Sequence, residues 1–232
     1  MTVELYHDYN TDICARLKDT SKEFQFIYAD IIYEDTDPYW LMDSVPLLSY
    51  DGVYVVQTDY HSVCDVKTAM DESGLTLVNW CIYINDWGGT PKKGFPRKHD
   101  DILIYSHEDS YKWNPDDIQI PKVTAGTALD KKGTGLKTPP DVFYDHASFS
   151  TIANERVKFE GHNIRWQKPE WLMERLMLPF TDRGDNVLDL FMGSGTLGKI
   201  AVSHGRNYVG IESNRHVFSL AEERIHNANV RL

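Results

Sequence analysis

"VLDLFMGSGTLGKIAVSHGRNYVGIE", residues 187–212, is the stretch that decides the fold. An apolar run "DNVLDLF" reads as a buried strand. "GSGTLGKIAVSHG" reads as a glycine turn opening a helix, and "NYVGIE" as the next strand, ending on an acid. Strand, glycine turn, helix and strand make one complete βαβ unit. Gly193 and Gly195 let the chain turn sharply and lie against a ligand with no Cβ in the way. The helix that follows presents free N–H groups and the positive end of its dipole. Asp189 closes the first strand and can accept hydrogen bonds from a donor such as an ammonium. Glu212 closes the second, about 20 residues on, where an acid is placed to grip ribose hydroxyls. Gly193, Gly195 and Gly198 also fit G-x-G-x-x-G, so a nicotinamide or flavin nucleotide stands beside other nucleotide-like ligands at this point.

Upstream, "KPEWLMERLMLPF" predicts a helix with Pro169 in its first turn, Glu170 near its positive end, and Leu172, Met173 and Leu176 on a core face. The first half alternates in the same way. "EFQFIYADIIY" and "VYVVQT" read as strands, "PYWLMDSVPLL" as a helix interrupted at Pro46, and "CDVKTAMDES" as a helix stopping at Gly74. "TLVNWCIYI" and "DILIYS" are further strands. Strands separated by helical stretches predict an α/β fold with a mostly parallel, doubly wound sheet. From about residue 114 to 160 periodicity fades, and "TAGTALDKKGTGLKTPPD" is rich in Gly, Thr, Lys and Pro. So long an irregular stretch is expected to be a functional loop or inserted lobe.

Composition narrows the classes. The 232 residues suffice for one large domain, and 41% hydrophobic with 25% charged residues is ordinary for a soluble globular protein. No apolar run approaches the roughly 20 residues that cross a bilayer. "MTVELYHDYN" has no apolar core of a signal peptide, so a cytoplasmic protein with no membrane partner is expected. Cys14, Cys64 and Cys81 are scattered and read as small core residues in a reducing compartment. His99, His107 and His162 show no metal-ligand spacing, so no metal is expected. Ser194 lacks the G-x-S-x-G elbow of a nucleophile. Trp80, Trp87 and Trp113 are expected in the core, with a DNA-facing position the alternative. A formal net charge of −11 argues against a protein that coats itself with nucleic acid, yet Lys92, Lys93, Arg97 and Lys98 crowd into "TPKKGFPRKH" and offer a local basic face for phosphate.

"DLFMGSGTLGKIAVSHGRNYVGIE", preceded by "QKPEWLMERLMLPFTDRGDNV", closely resembles the end of the β-class amino-methyltransferases, which methylate exocyclic amines of DNA bases with S-adenosylmethionine. The D-x-F-x-G-S-G-T turn, the Q-K-P helix start and the G-R-N-Y-x-G-I-E strand occur together and in order. The resemblance is strong over residues 162 to 225 and weaker over about 24 to 113, where "GFPRKHDDILIYSHEDSYKWN" looks like the strand and hairpin after that family's catalytic half. It implies a single Rossmann-like methyltransferase domain over 1–232: a catalytic half at 24–113, a target-recognition segment at 114–160 and a cofactor half at 161–232. It implies that Asp189, Phe191, Gly193, Ser194, Gly195 and Thr196 line the S-adenosylmethionine pocket, that Glu212 holds the ribose, and that Lys168 is a neighbouring cofactor contact. It also implies double-stranded DNA as partner, base flipping, and a prokaryotic or phage-infected cell with a restriction–modification setting. A homodimer is an arrangement it allows.

The family's catalytic motif is usually D-P-P-Y at a strand end before the cofactor motif. Here "FIYADIIYED", residues 26–35, stands in that place: Asp30, Ile31, Ile32, Tyr33. The prolines are missing. "DPYW", from Asp37, matches better by letters but follows a polar turn and reads as a helix start, so position favours Asp30. The target amine is conjugated with its ring and is a poor nucleophile. A carboxylate accepting one N–H and a backbone carbonyl accepting the other draw out its lone pair, while a ring stacks on the flipped base. Asp30, the Ile31 carbonyl and Tyr33 are the candidates, though isoleucine does not fix φ as proline does. Adenine N6 is the expected target and cytosine N4 the alternative. A cofactor-binding regulator without activity and a nucleotide-dependent oxidoreductase are the other classes.

Overall fold

The computed structural model describes residues 1–31, 37–85, 90–144, 155–159, 162–164 and 166–229. Its elements run β1 (Val3–Tyr6), α1 (Asn10–Lys18), β2 (Phe24–Asp30), α2 (Leu41–Ser44), β3 (Leu48–Thr58), α3 (Val63–Glu72), β4 (Thr76–Ile84) and β5 (His99–Ser106). Five two-residue strands follow: β6 (Ile120–Pro121), β7 (Leu136–Lys137), β8 (Val142–Phe143), β9 (Lys158–Phe159) and β10 (His162–Asn163). The chain then makes α4 (Glu170–Met177), β11 (Asn186–Asp189), α5 (Thr196–Ser203), β12 (Asn207–Ile211) and α6 (Arg215–Asn229).

Eight strands form one sheet in the order β1-β12-β11-β2-β3-β5-β4-β8. Only the β3–β5 and β5–β4 neighbours are antiparallel, so the sheet is mostly parallel as expected. The exception has a local cause. A parallel pair needs a crossover, usually a helix, and the described part of the β4–β5 connection holds none, so β5 returns alongside β4 antiparallel.

Alternation along the strands makes two cores. Phe26 and Tyr28 of β2 pack with Leu172, Leu176, Leu197, Ile200 and Ile225 beneath α4, α5 and α6. Ile27 and Ala29 of the same strand pack with Ile13, Leu17, Leu41 and Val66 beneath α1, α2 and α3. The period of two in β2 thus serves both faces, as in a doubly wound sheet with helices on either side.

Several expectations need correction. Pattern alone predicts no element before residue 23, yet β1 and α1 are there, and β1 pairs with β12 at the end of the sheet. Every residue of β1 is only partly buried, so its alternation is weak. "PYWLMDSVPLL" is one turn of α-helix between two 3₁₀ turns: Pro38 opens the first, and Pro46 interrupts the helix as expected. Pro169 is the extended N-cap of α4 and not its first turn. Trp80 and Trp113 are exposed; Trp80 donates Nε1–H to Asp101 at 2.8 Å, which leaves its ring at the surface. Trp87 lies outside the described residues. Cys64 is exposed, unlike Cys14 and Cys81. Among the described residues no helix is long and apolar enough to cross a membrane.

Candidate active site

Strand order reverses between β11 and β2, which lie side by side with Asp189 opposite Tyr28. In open α/β sheets the carboxyl ends of strands at such a switch point leave a crevice. Here the crevice is a cavity of about 390 Å³, within the range of small-molecule sites. Its walls come from four parts of the chain: residues 8–10 after β1, the end of β2, the approach to α4, and the glycine turn with the end of β12.

The glycine turn has the predicted geometry. Gly193 and Gly195 take φ of +51° and +75°, in the left-handed region that L side chains avoid. A Cβ on Gly193 would meet nothing nearer than the Phe191 carbonyl at 3.8 Å, so its backbone faces open space. Gly195 is the N-cap of α5. Gly198 is a different case: a Cβ there would stand 2.5 Å from Ile225 and 2.6 Å from the Tyr208 ring, so this glycine lets α5 pack on β12 and α6. The G-x-G-x-x-G spacing therefore has its third glycine in helix packing. Ser194 and Thr196 are buried, with their hydroxyls 3.3 Å apart, and Arg224 donates to the Ser194 carbonyl at 2.7 Å. Phe191 packs edge-on against Trp40 and lines the cavity.

Two acids close this half. Glu212 accepts Gly193 N–H on one oxygen at 3.1 Å and Asn214 N–H on the other at 2.7 Å, which fixes its carboxylate while it lines the cavity. Asp189 is buried, accepts the Tyr208 hydroxyl at 2.9 Å and Phe191 N–H at 3.3 Å, and also lines the cavity. Burial pushes its carboxyl up to about 7, outweighing those two hydrogen bonds. A buried carboxylate in that condition is a receptor for positive charge.

On the neighbouring strand Asp30 ends β2 on the same face as Tyr28, and Lys168, just before α4, reaches it from far along the chain. The ammonium lies 2.9 Å from Asp30 Oδ1 and 2.8 Å from Oδ2. Burial raises the Asp30 carboxyl above the usual range and Lys168 pulls it back. Lys168 thus touches the candidate catalytic acid as well as lining the cavity. Ile31 donates its N–H to the Gln57 carbonyl at 2.9 Å and buries its side chain in the second core. Tyr33 lies outside the described residues. The rival acid, Asp37, accepts Tyr39 N–H at 3.1 Å as a helix cap and is not part of the cavity lining.

The basic loop divides. Lys92 and Lys93 are exposed, with Phe95 between them and the rest of the loop almost wholly exposed. Arg97 binds the buried carboxylate of Asp59 and lies over the Tyr60 ring. The carbonyl of Lys98 accepts Asn85 N–H at 2.8 Å.

Reading by sequence alone misses Asp8, Tyr9, Asn10 and Trp166 in the cavity wall. Trp166 adopts φ of +62°, uncommon for a bulky residue, and its ring is exposed. Only a fold that brings residue 8 to residue 212 could disclose the first three. A lone tryptophan before Q-K-P carries no signal of backbone conformation. Among the described residues no group of histidines, cysteines and acids could hold a metal ion.

The chain is similar to known proteins along most of its length. The type II methyltransferase M.HpaI of Haemophilus parainfluenzae is 28% identical over 188 residues, 80% of this chain and 57% of that one. The chain thus spans less than two thirds of this relative. Among solved structures, M1.HpyAVI in complex with SAM superposes with a TM-score of 0.69 at 19% identity, covering 97% of this chain and 99% of that one. The cytosine-N4-specific PvuII DNA methyltransferase gives 0.70 at 16%, covering 100% and 92%. These two establish the fold. A family model described as DNA methylase matches residues 16–223. The chain therefore belongs to the N6/N4 DNA methylase family, the β-class amino-methyltransferases that use S-adenosylmethionine.

Proposed function

We propose that this protein methylates the exocyclic amine of a base in double-stranded DNA, with adenine N6 the target and cytosine N4 the alternative. The observation that carries the reading is one cavity shared by Asp30 and the glycine turn, at the switch point of the sheet. The described residues fit S-adenosylmethionine: the open backbone at Gly193, the fixed carboxylate of Glu212, the apolar ring of Phe191, and Asp189 as acceptor for a cationic group. Ser194, Gly195 and Thr196 complete that turn. The bound cofactor supplies an already activated methyl group, so the protein's part is orientation and charge placement.

Asp30, which when ionised can only accept, takes a hydrogen bond from one N–H of the target amine. The Ile31 carbonyl takes the other, and the nitrogen lone pair is drawn out of conjugation. Tyr33 is assigned the stacking role on the flipped base. Residues 114–160 are assigned to target recognition and Lys92, Lys93, Arg97 and Lys98 to phosphate, with Lys92 and Lys93 the exposed pair.

Incubation with labelled S-adenosylmethionine and mixed DNA, followed by nucleoside analysis, tests the reading. N6-methyladenine is the expected product; N4-methylcytosine moves the target, and no methylated nucleoside leaves the inactive regulator. S-adenosylhomocysteine should raise the melting temperature and NAD should not, which separates the oxidoreductase class.

Two further outcomes are expected here. Asp189 has a folded value of about 7 against an ordinary 3.8. Because the folded value is the higher, its charging penalty is absent below pH 4 and complete above pH 7, so it lowers stability as pH rises across that window. A cationic ligand beside it pulls the value down. S-adenosylhomocysteine binding at pH 6 should therefore release a proton, read by calorimetry as a dependence on buffer ionisation enthalpy, and Asp189→Asn should abolish that dependence. For DNA, Lys92→Glu with Lys93→Glu should weaken binding to all sequences and flatten the log–log salt slope by about 2. Arg97 is left out because reversing it would set two acids against each other at Asp59. An unchanged slope makes the two lysines solvated surface.

A further inference from the structure

The Lys168 ammonium stands between two acids. Beside Asp30, Asp100 on β5 is buried and lies 3.7 Å from the same nitrogen through Oδ2. Asp100 is held in place: Gln57 Nε2 donates to its Oδ2 at 2.9 Å and Asn85 Nδ2 to its Oδ1 at 3.2 Å. Gln57 is fixed in turn by the Tyr28 hydroxyl, which donates to its Oε1 at 2.7 Å. Gln57 and Asp100 lie near the ends of β3 and β5 and Asn85 just past β4, and Asn85, Asp100 and Lys168 line one small pocket.

The arrangement presents a conflict for the proposed chemistry. Lys168 meets both oxygens of Asp30 at near-equal distance, and a target amine needs the same oxygens. An ammonium on a flexible four-carbon stem can move, whereas Asp100 is pinned by two amides. A displacement on the order of 1 Å would bring Nζ to hydrogen-bond distance of Asp100.

Resting on the methyltransferase reading, we propose that Lys168 is a positioning residue that hands its ammonium from Asp30 to Asp100. It keeps Asp30 ionised in a site that disfavours charge, and it releases the Asp30 oxygens when the amine arrives. Asp100 is the second station, built in advance by Gln57 and Asn85. This goes beyond a cofactor contact for Lys168 and gives Asp100 and Gln57 a part in the reaction. Among the described residues the other titratable groups facing Asp30 are Tyr28 on its own strand, Tyr83 on β4 and Asp189 on β11, each of which gains negative charge on ionisation; Arg97 lines a small pocket with Lys168 and Asp100 but binds Asp59.

The test has two arms. In the protein without DNA, carbon-13 NMR of labelled aspartate follows the Asp30 carboxyl. Lys168→Met should raise its midpoint by at least about one pH unit, since an opposite charge within 4–6 Å favours ionisation by that order or more. Lys168→Arg should restore most of it. In single-turnover methylation, Asp100→Asn should lower the rate about tenfold or more, with the KM for S-adenosylmethionine and the affinity for S-adenosylhomocysteine unchanged. That retained affinity also certifies the fold. A purely structural Asp100 moves the melting temperature and not the rate. An unshifted Asp30 midpoint in Lys168→Met overturns the first half of the proposal. A methylating wild type with an indifferent Asp100→Asn overturns the hand-over alone. A wild type that methylates no DNA overturns the hand-over together with the reading beneath it.

Discussion

Asp30→Ala is expected to lower the single-turnover methylation rate by about 10²- to 10³-fold, the usual cost of removing one aimed polar group from a transition state, while S-adenosylhomocysteine binds almost as before. The separation follows from the site. Asp30 closes β2, whereas Asp189, the Gly193 turn and Glu212 belong to β11, the turn after it and the end of β12. Removing Asp30 strips Lys168 of its nearer partner, but Asp100 lies 3.7 Å from the ammonium and can take it, so no buried charge is stranded and the fold survives. The loss belongs in the chemical step because the carboxylate acts as the amine changes geometry. Asp37→Ala is the control. It removes a helix cap, costs about 1 kcal/mol of stability, and should leave the rate near wild type. An inactive Asp37→Ala beside an active Asp30→Ala would place the catalytic motif at residue 37 and keep the family assignment.

Gly198→Val is expected to destabilise the cofactor half by overpacking. Its Cβ would enter space held by Ile225 Cδ1 at 2.5 Å and by Tyr208 Cε1 at 2.6 Å and Cζ at 2.8 Å. The end of an isoleucine can rotate, but the Tyr208 ring is 1% exposed and has nowhere to go. Overpacking of this kind costs about 1–3 kcal/mol, and each kcal/mol lowers Tm by about 2–4 °C in a chain this long. The damage spreads to binding, because the Tyr208 hydroxyl holds Asp189 at 2.9 Å. Gly193→Val sets the contrast. Its Cβ meets nothing close, so stability falls by the left-handed backbone term, about 1–2 kcal/mol, while cofactor affinity falls further than in Asp189→Ala. A Gly198→Val protein that melts with wild type would remove close packing as the reason for that glycine.

Local chemistry made part of this legible from residues alone. The βαβ unit around Gly193 was readable because a turn with left-handed glycines, an apolar strand and a terminal acid are all encoded within one short window. The place of Asp30 was readable as the last residue of a strand. What reached across the chain was not. Lys168 lies 138 positions from Asp30, and no periodicity announces that pair. Gln57 and Asp100 look like strand interruptions in a sequence; only the register of β3 and β5 shows them as one hydrogen-bonded unit. The antiparallel return of β5 was hidden for the same reason, since strand direction depends on what the connection contains. Arg97 looked like its basic neighbours until Asp59 supplied its partner.

The cavity's walls come from residues 8–10 and from residues far beyond them, and β1 and β2 both wait for strands read near the other end of the chain. During synthesis, then, β2 can pair with β3 long before β11 exists, and its other edge stays open for most of that interval. An open edge is a template for wrong partners, and pairings so distant in sequence form slowly. The cavity for the methyl donor is therefore complete only when residues 8–10 meet the strands that carry Asp189 and Glu212. Until that moment a newborn molecule has no complete cavity in which to take up the donor.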